Sequence, residues 1–256
     1  MEKSSQRNII IVTCFMMIII VMILTPYRKP PVQPVPFCTL LPSSIEYVLE
    51  RQNKLVVDRE VTWQKGKTLR VYFFGGTPEI KKEVLKIINE WTIVTDIKFK
   101  EVYDLYDSTE VRVSFNCAGY SSLVGTQSFD KAYQNKPTMC LQGLDTTVDK
   151  LLFKRTVLHE FGHVLGFLHE LQSPAAKIPW DTAKLYRYYD SLYKWKPDSV
   201  YKWVLKLYEG MDATDFDTLS IMLYAVPREV TKGGYFIKWP NKLSSTDKQK
   251  AHDIYH

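Results

Sequence analysis

Apolar and polar positions follow three rhythms along this chain, and each predicts a different kind of element. The first is unbroken. Ile9–Leu24 (IIIVTCFMMIIIVMIL) has no charged residue and is apolar on every face, which suits a membrane segment and not a buried core helix. It is slightly short for a bilayer core of about 30 Å, and flanking residues make up the difference by snorkelling. The second rhythm is that of short strands: Leu69–Phe74 (LRVYFF) stopped by Gly75-Gly76, then Ile97–Val102, Val111–Phe115 and Thr138–Leu141. The third has helical spacing. Ile80, Val84, Leu85, Ile87, Ile88 and Trp91 predict an amphipathic helix from Pro78 to about Thr95, with Thr77 as its cap and proline at the first position. Later helices are predicted over Trp180–Leu192, capped by Asp181, over Asp198–Tyr208 behind Pro197, and from Thr246 to about Tyr255. The many tyrosines and tryptophans of these last segments are read as packing, not as a carbohydrate platform.

The apolar run is followed by Pro26, Pro30, Pro31, Pro34 and Pro36, spaced as in an extended polyproline stalk. Two readings of the run compete, a cleaved signal peptide and an uncleaved anchor. Ile23-Leu24-Thr25-Pro26-Tyr27 lacks the small residues a cleavage site needs, which favours the anchor. Lys3 and Arg7 before the run nearly balance Arg28 and Lys29 after it, so charge leaves the orientation open. The formal charge of +6 is scattered, without the basic block that tracks nucleic acid.

The candidate chemistry lies in Val157–Pro174 (VLHEFGHVLGFLHELQSP), which holds three of the five histidines. On a helix His159 and His163 differ by about 40° in direction and roughly 6 Å in height, so both imidazoles face one metal ion. Glu160 lies about 100° further round, within reach of a water at that ion. A continued helix would aim His169 about 240° away from His163. The chain must therefore turn, and Gly166 is where glycine ends the helix and sends His169 back. Three nitrogens leave a fourth position for water, the layout of a catalytic zinc site. The alternative is a set of plain helix residues. HExxH arises by chance in such a chain about once in a hundred, and Gly166 and His169 at fixed offsets make it about a thousandfold rarer.

HExxHxxGxxH resembles the metzincin zinc-protease signature. The variant HEFGHVLGFLHE, with Phe167 and Glu170, is similar to the astacin branch, and the resemblance covers most of the chain after about Val61. It implies an α+β fold: a metzincin-like catalytic domain with a twisted mixed sheet and two long helices, then a smaller, mostly helical lobe across a cleft. Asp215–Tyr224 (DFDTLSIMLY) resembles the astacin Met-turn. There Met222 would floor the zinc, and Tyr224 would ligate it at rest or hold the oxyanion. Leu223 stands where the family has histidine. Gly119–Thr126 (GYSSLVGT) resembles the family's edge strand along the cleft. Ser122, Leu123, Val124 and Gly125 would then offer backbone to an extended peptide; read without the resemblance, they form an ordinary edge strand. Leu243-Ser244-Ser245-Thr246-Asp247 matches the start of the family's last helix. In that helix His252 and His256 stand at i, i+4 without a third ligand, and are read as surface histidines.

The function implied is zinc-dependent endopeptidase action on polypeptides, with one Zn2+ per chain on His159, His163 and His169 and Glu160 as general base. The alternative is a catalytically weak or inactive membrane-tethered binding protein on the same fold. The organisation expected is a cytoplasmic tail (1–8), a transmembrane signal anchor (9–25), a stalk and lead-in (26–60) and a protease domain (61–256) divided at 166/167. The resemblance places that domain outside the membrane, with a secreted form as the runner-up. Residues 38–60 are either a short inhibitory segment or a lead-in. Cys14 lies in the apolar run, which leaves Cys38, Cys117 and Cys140. The family's bridge falls near Cys117 and Cys140, against two buried thiols. In processed family members Glu170 pairs with the new amino terminus; its role here is open.

Overall fold

Seven residues, Thr68–Phe74, form the first strand (β1) because every second side chain finds the core: Leu69, Val71 and Phe73 are buried while their neighbours are part-exposed. The structure is a computed structural model that describes residues 61–106, 108–145, 148–208 and 215–256. These all lie in the second of two units into which the chain divides, Pro36–His256. The apolar run at 9–25, the stalk and Cys38 lie outside the described residues. Among the described residues no helix is long and apolar enough to cross a membrane.

Helix α1 (Pro78–Thr92) follows β1 with Thr77 Oγ1 accepting from Ile80 N. It stops three residues before the predicted end. Ile93 is exposed, so the apolar face has nothing further to cover, and Thr95 Oγ1 donates to Trp91 O. The chain then returns as β2 (Lys98–Glu101), parallel to β1, as a strand-helix-strand crossover requires. Strands β3 (Val111–Ser114), β4 (Tyr120–Ser122) and β5 (Met139–Leu141) complete a five-stranded sheet in the order β2-β1-β3-β5-β4. Only β4 runs antiparallel, and it forms the edge.

The edge strand is shorter than the sequence predicts. Beyond Ser122 only the bond from Leu123 N to Thr138 O continues the pairing, and Gly125 (φ 51°) opens a 3-10 turn over Gly125–Phe129. Val61 backbone fills the space a side chain at Gly125 would need. Val124 and Gly125 are therefore loop residues packed under Val61. Arg112 braces this loop from β3. Its buried guanidinium donates to the carbonyls of Thr109, Ser128, Tyr133 and Lys136. Cys117 and Cys140 are bridged, with Cα atoms 5.9 Å apart, which ties the segment before β4 to β5.

The central helix α2 (Lys150–Val164) is capped by Asp149, whose carboxylate accepts from Leu151 N and Leu152 N. It packs on α1 through Trp91, whose indole donates to Leu158 O at 3.0 Å. Beyond Gly166 no strand longer than an isolated bridge occurs among the described residues, and the chain is helical or irregular. Helix α3 (Thr182–Tyr193) is capped by Asp181. Tyr189 is buried and stacks on Trp195 at 5.3 Å, as packing aromatics do. The helix predicted over Asp198–Tyr208 forms as a short α4 (Pro197–Val200) that runs directly into a wider π turn at Tyr201–Leu205, and it ends three residues early. The cause is tertiary. Gln172 Nε2 donates to Lys202 O and Lys206 O, and its backbone carbonyl accepts from Tyr208 N. Helix α5 (Ser245–Tyr255) starts one residue before the predicted start, with Ser244 as cap in a capping box with Asp247.

Candidate metal centre

The carboxyl end of α2 is closed on every side, which sets the position of the third histidine. Leu165 is the cap and Gly166 follows at φ 88°. Gly166 N donates to His163 O at 2.8 Å and Phe167 N to Gly162 O at 3.0 Å, the paired bonds of a glycine-ended helix. The next two carbonyls are taken from a distance. Trp63 Nε1 donates to Val164 O at 2.7 Å, and Tyr255 Oη donates to Leu165 O at 2.8 Å. With the turn held so, the chain brings His169 back to His163, and their Nε2 atoms are 3.1 Å apart.

His159, His163 and His169 are fully buried, and one ligand atom from each lies within 4.8 Å of the others. His159 Nδ1 lies 2.8 Å from Ile221 O, and His163 Nδ1 lies 2.7 Å from Phe167 O. A carbonyl only accepts, so each Nδ1 carries the proton and each Nε2 presents a lone pair to the shared centre. Burial pushes the His159 ring down to about 4 and holds the other two well below the usual imidazole range, helped by their mutual repulsion. All three are therefore neutral at pH 7, the state a metal ligand needs. Neutral imidazoles at this separation fit zinc, whose Zn–N distance of roughly 2.0–2.1 Å sets tetrahedral nitrogens about 3.3 Å apart. No other cluster among the described residues fits a metal. The His252 and His256 rings lie 4.3 Å apart and tilted, with His256 Nδ1 3.6 Å from Asp96.

The Met-turn lies under this centre. A side chain on Gly162 would overlap Met222 Sδ, so the glycine of HEFGH is what lets the methionine approach α2. Met222 O accepts from Glu170 N at 3.1 Å. Tyr224 Oη lies 2.7 Å from His169 Nε2 and 3.2 Å from His159 Nε2. Leu223 is fully buried, so the side chain that replaces the family's histidine serves packing. Glu160 is buried and lines one cavity with His159, Tyr224, Tyr120, Thr156, Arg155 and Trp239. Glu170 is also buried. It accepts from Asp217 N at 3.1 Å and has Lys250 Nζ 3.8 Å away, while burial raises its pKa.

Three supporting residues escape the sequence reading. Asp247 is visible there only as the end of a capping pattern. Its carboxylate also accepts from Ser220 Oγ at 2.6 Å and Ile221 N at 2.7 Å, so α5 holds the turn that positions His159. Trp63 and Tyr255 likewise show no sequence signal beyond being aromatic.

A mostly parallel sheet with an antiparallel edge strand, a central helix bearing HExxH, a glycine turn to a third histidine and a methionine floor together define a zinc peptidase of the metzincin class. No protein-family model matches the chain and no curated protein does. Solved structures do. One structure of myroilysin is 34% identical, matching 78% of this chain and 97% of its own with a TM-score of 0.73. A crystal structure of myroilysin is 29% identical over 89% of this chain and 97% of its own, with a TM-score of 0.61. The hatching enzyme zinc-protease high choriolytic enzyme 1 from the medaka Oryzias latipes shares the fold at 16% identity, over 76% of this chain and 94% of its own, with a TM-score of 0.50. The chain belongs to the astacin family of zinc metalloendopeptidases, with one zinc ion at its three-histidine site.

Proposed function

We propose that the chain cleaves internal peptide bonds with Glu160 as general base and Tyr224 as oxyanion donor, the three histidines holding the metal. The observation that carries this is the meeting of Glu160, Tyr224 and His159 in one cavity, with the histidine lone pairs turned towards a common centre. When bound, zinc supplies a Lewis acid that polarises the scissile carbonyl and activates water. Glu160 takes a proton from the attacking water and gives it to the leaving amine. The Tyr224 hydroxyl donates to the oxygen that becomes negative in the transition state. The outer edge of β4, from Tyr120 to Ser122, lends its backbone groups to an extended substrate. The test is direct. The full-length protein is expected to carry about one zinc per chain and to digest casein, with activity lost to 1,10-phenanthroline. Full activity in metal-free protein would overturn the assignment.

Tyr224→Phe separates the two roles that its ring and hydroxyl can play. Core volume is nearly unchanged, so kcat is expected to fall about 10–1000-fold, with KM and zinc content nearly constant. Equal kcat at matched zinc occupancy would leave Tyr224 as scaffold.

We also propose that residues 9–25 anchor the protein in a membrane with its protease domain outside, supported by the uncharged run and the lack of a cleavage site. The full-length chain is expected in the membrane pellet after a carbonate wash. A soluble form beginning near Tyr27 would show a cleaved signal instead.

A further inference from the structure

Trp239 stands in two walls at once. It lines the catalytic cavity with Glu160 and Tyr224, where the Arg155 guanidinium carbon lies 3.2 Å from a ring centre. It also lines a separate groove of about 880 Å3, bounded by Thr218, Leu219 and residues of the stretch 235–248. None of the three histidines, Glu160 or Tyr224 lines that groove. A ligand seated in it therefore touches none of the groups that act on the scissile bond.

The groove is apolar and basic together. Leu219 is 70% exposed and Phe236 is 41% exposed, with the Arg228 guanidinium carbon 3.5 Å from the Phe236 ring centre. Large apolar side chains left in water around one groove mark a surface that a partner covers. Lys238, Lys242 and Lys248 are exposed in the same groove, and none forms an ion pair among the described residues. No carboxylate lines it. The carboxylates beside the start of α5 are already spent. Asp217 accepts from Leu219 N and Ser244 Oγ, and Asp247 accepts from Ser220 Oγ, Ile221 N and Ser244 N. Three like charges around one groove favour an anionic occupant.

The backbone narrows the choice of occupant. No hydrogen bond among the described residues takes up the amides of Lys238, Trp239, Asn241 and Lys242. Open main-chain groups beside side-chain pockets are what an extended peptide uses. A lipid surface is flat and offers no main chain to pair with them.

We propose that this groove docks an extended, acidic segment of a partner polypeptide outside the catalytic cavity. Its carboxylates meet Lys238, Lys242 and Lys248, and an apolar side chain packs against Leu219 and Phe236. The docking does not depend on the catalytic roles given above.

The test measures binding on full-length Glu160→Gln protein in neutral detergent, so that a peptide that also enters the cleft is not consumed. The probes are two fluorescein-labelled decapeptides with the same Leu and Phe positions, one carrying Glu between them and the other Gln. Anisotropy is expected to show the Glu peptide binding about tenfold more tightly, a preference that fades as salt is raised. Adding Lys242→Glu and Lys248→Glu together should abolish the preference, and adding Phe236→Ala should weaken both peptides by about 3–10-fold. In protein with Glu160 intact, the lysine changes should leave kcat/KM on a short neutral peptide within about twofold of wild type. Equal affinity for the two peptides overturns the proposal. So does competitive inhibition by the Glu peptide that persists in the lysine variant, which would place the peptide in the cleft. Two further outcomes also overturn it, if the Glu peptide fails to bind: capture by micelles doped with phosphatidylserine, or a dimer in sedimentation, either being lost in the lysine variant. The first would give the groove to a lipid surface and the second to another copy of the chain.

Discussion

Glu160→Gln is expected to lower kcat by about 100–10,000-fold while zinc content and melting temperature stay close to wild type. Glutamine has the size and hydrogen-bonding reach of glutamate and no useful basicity. Glu160 is 1% exposed on α2, next to His159, so a larger or smaller side chain would disturb packing and confuse the result. The amide avoids that. Its neighbours His159 and His163 keep their carbonyl partners, Ile221 O and Phe167 O, in the variant, so the metal site should persist. The measurement is kcat on a peptide substrate beside the metal content of the same sample. Activity near the wild-type level would remove Glu160 from the role of base. Loss of zinc in parallel with activity would show that the residue supports the site instead.

Asp247→Ala should have the largest effect of any change away from the cleft, a loss of about 3–5 kcal/mol in stability and of about 10–100-fold in zinc affinity. The carboxylate is 3% exposed and accepts from Ser220 Oγ, Ile221 N and Ser244 N. Alanine leaves those donors buried without partners, at about 1–3 kcal/mol each before relaxation. It also removes half of the capping box that starts α5. The effect on zinc follows from the same bonds. Ile221 N is held by Asp247, and Ile221 O fixes the ring of His159. Urea unfolding and competition with a zinc chelator measure the two effects separately. A fall in stability with unchanged zinc affinity would break the link from α5 to His159 and leave Asp247 as a helix cap alone.

What the sequence determines by itself is local. The spacing of His159 and His163 sets both on one helix face, because a helix fixes direction every 100°. Gly166 ends that helix because the next step needs a positive φ, 88° here, which glycine adopts without strain. The short apolar run Leu69–Phe74 ended by Gly75-Gly76 and the Ser244–Asp247 pattern likewise place a strand and a helix start within a residue or so. Each of these follows from sterics inside a few residues of chain, which residue type encodes.

Tertiary structure decided the rest. The predicted helix over Asp198–Tyr208 widens into a π turn and stops at Leu205, where Gln172, a distant residue, takes the carbonyls of Lys202 and Lys206. The edge strand ends at Ser122 because Val61 packs against Gly125. Tyr224 reaches His159 across 65 positions, and Asp247 reaches Ile221 across 26. Arg155 is legible in the sequence as a neighbour of His159, whereas its seat on Trp239 is not. Contacts of this kind exist only after long loops have closed, and their closure depends on the packing of the whole core and not on the spacing of the residues that meet.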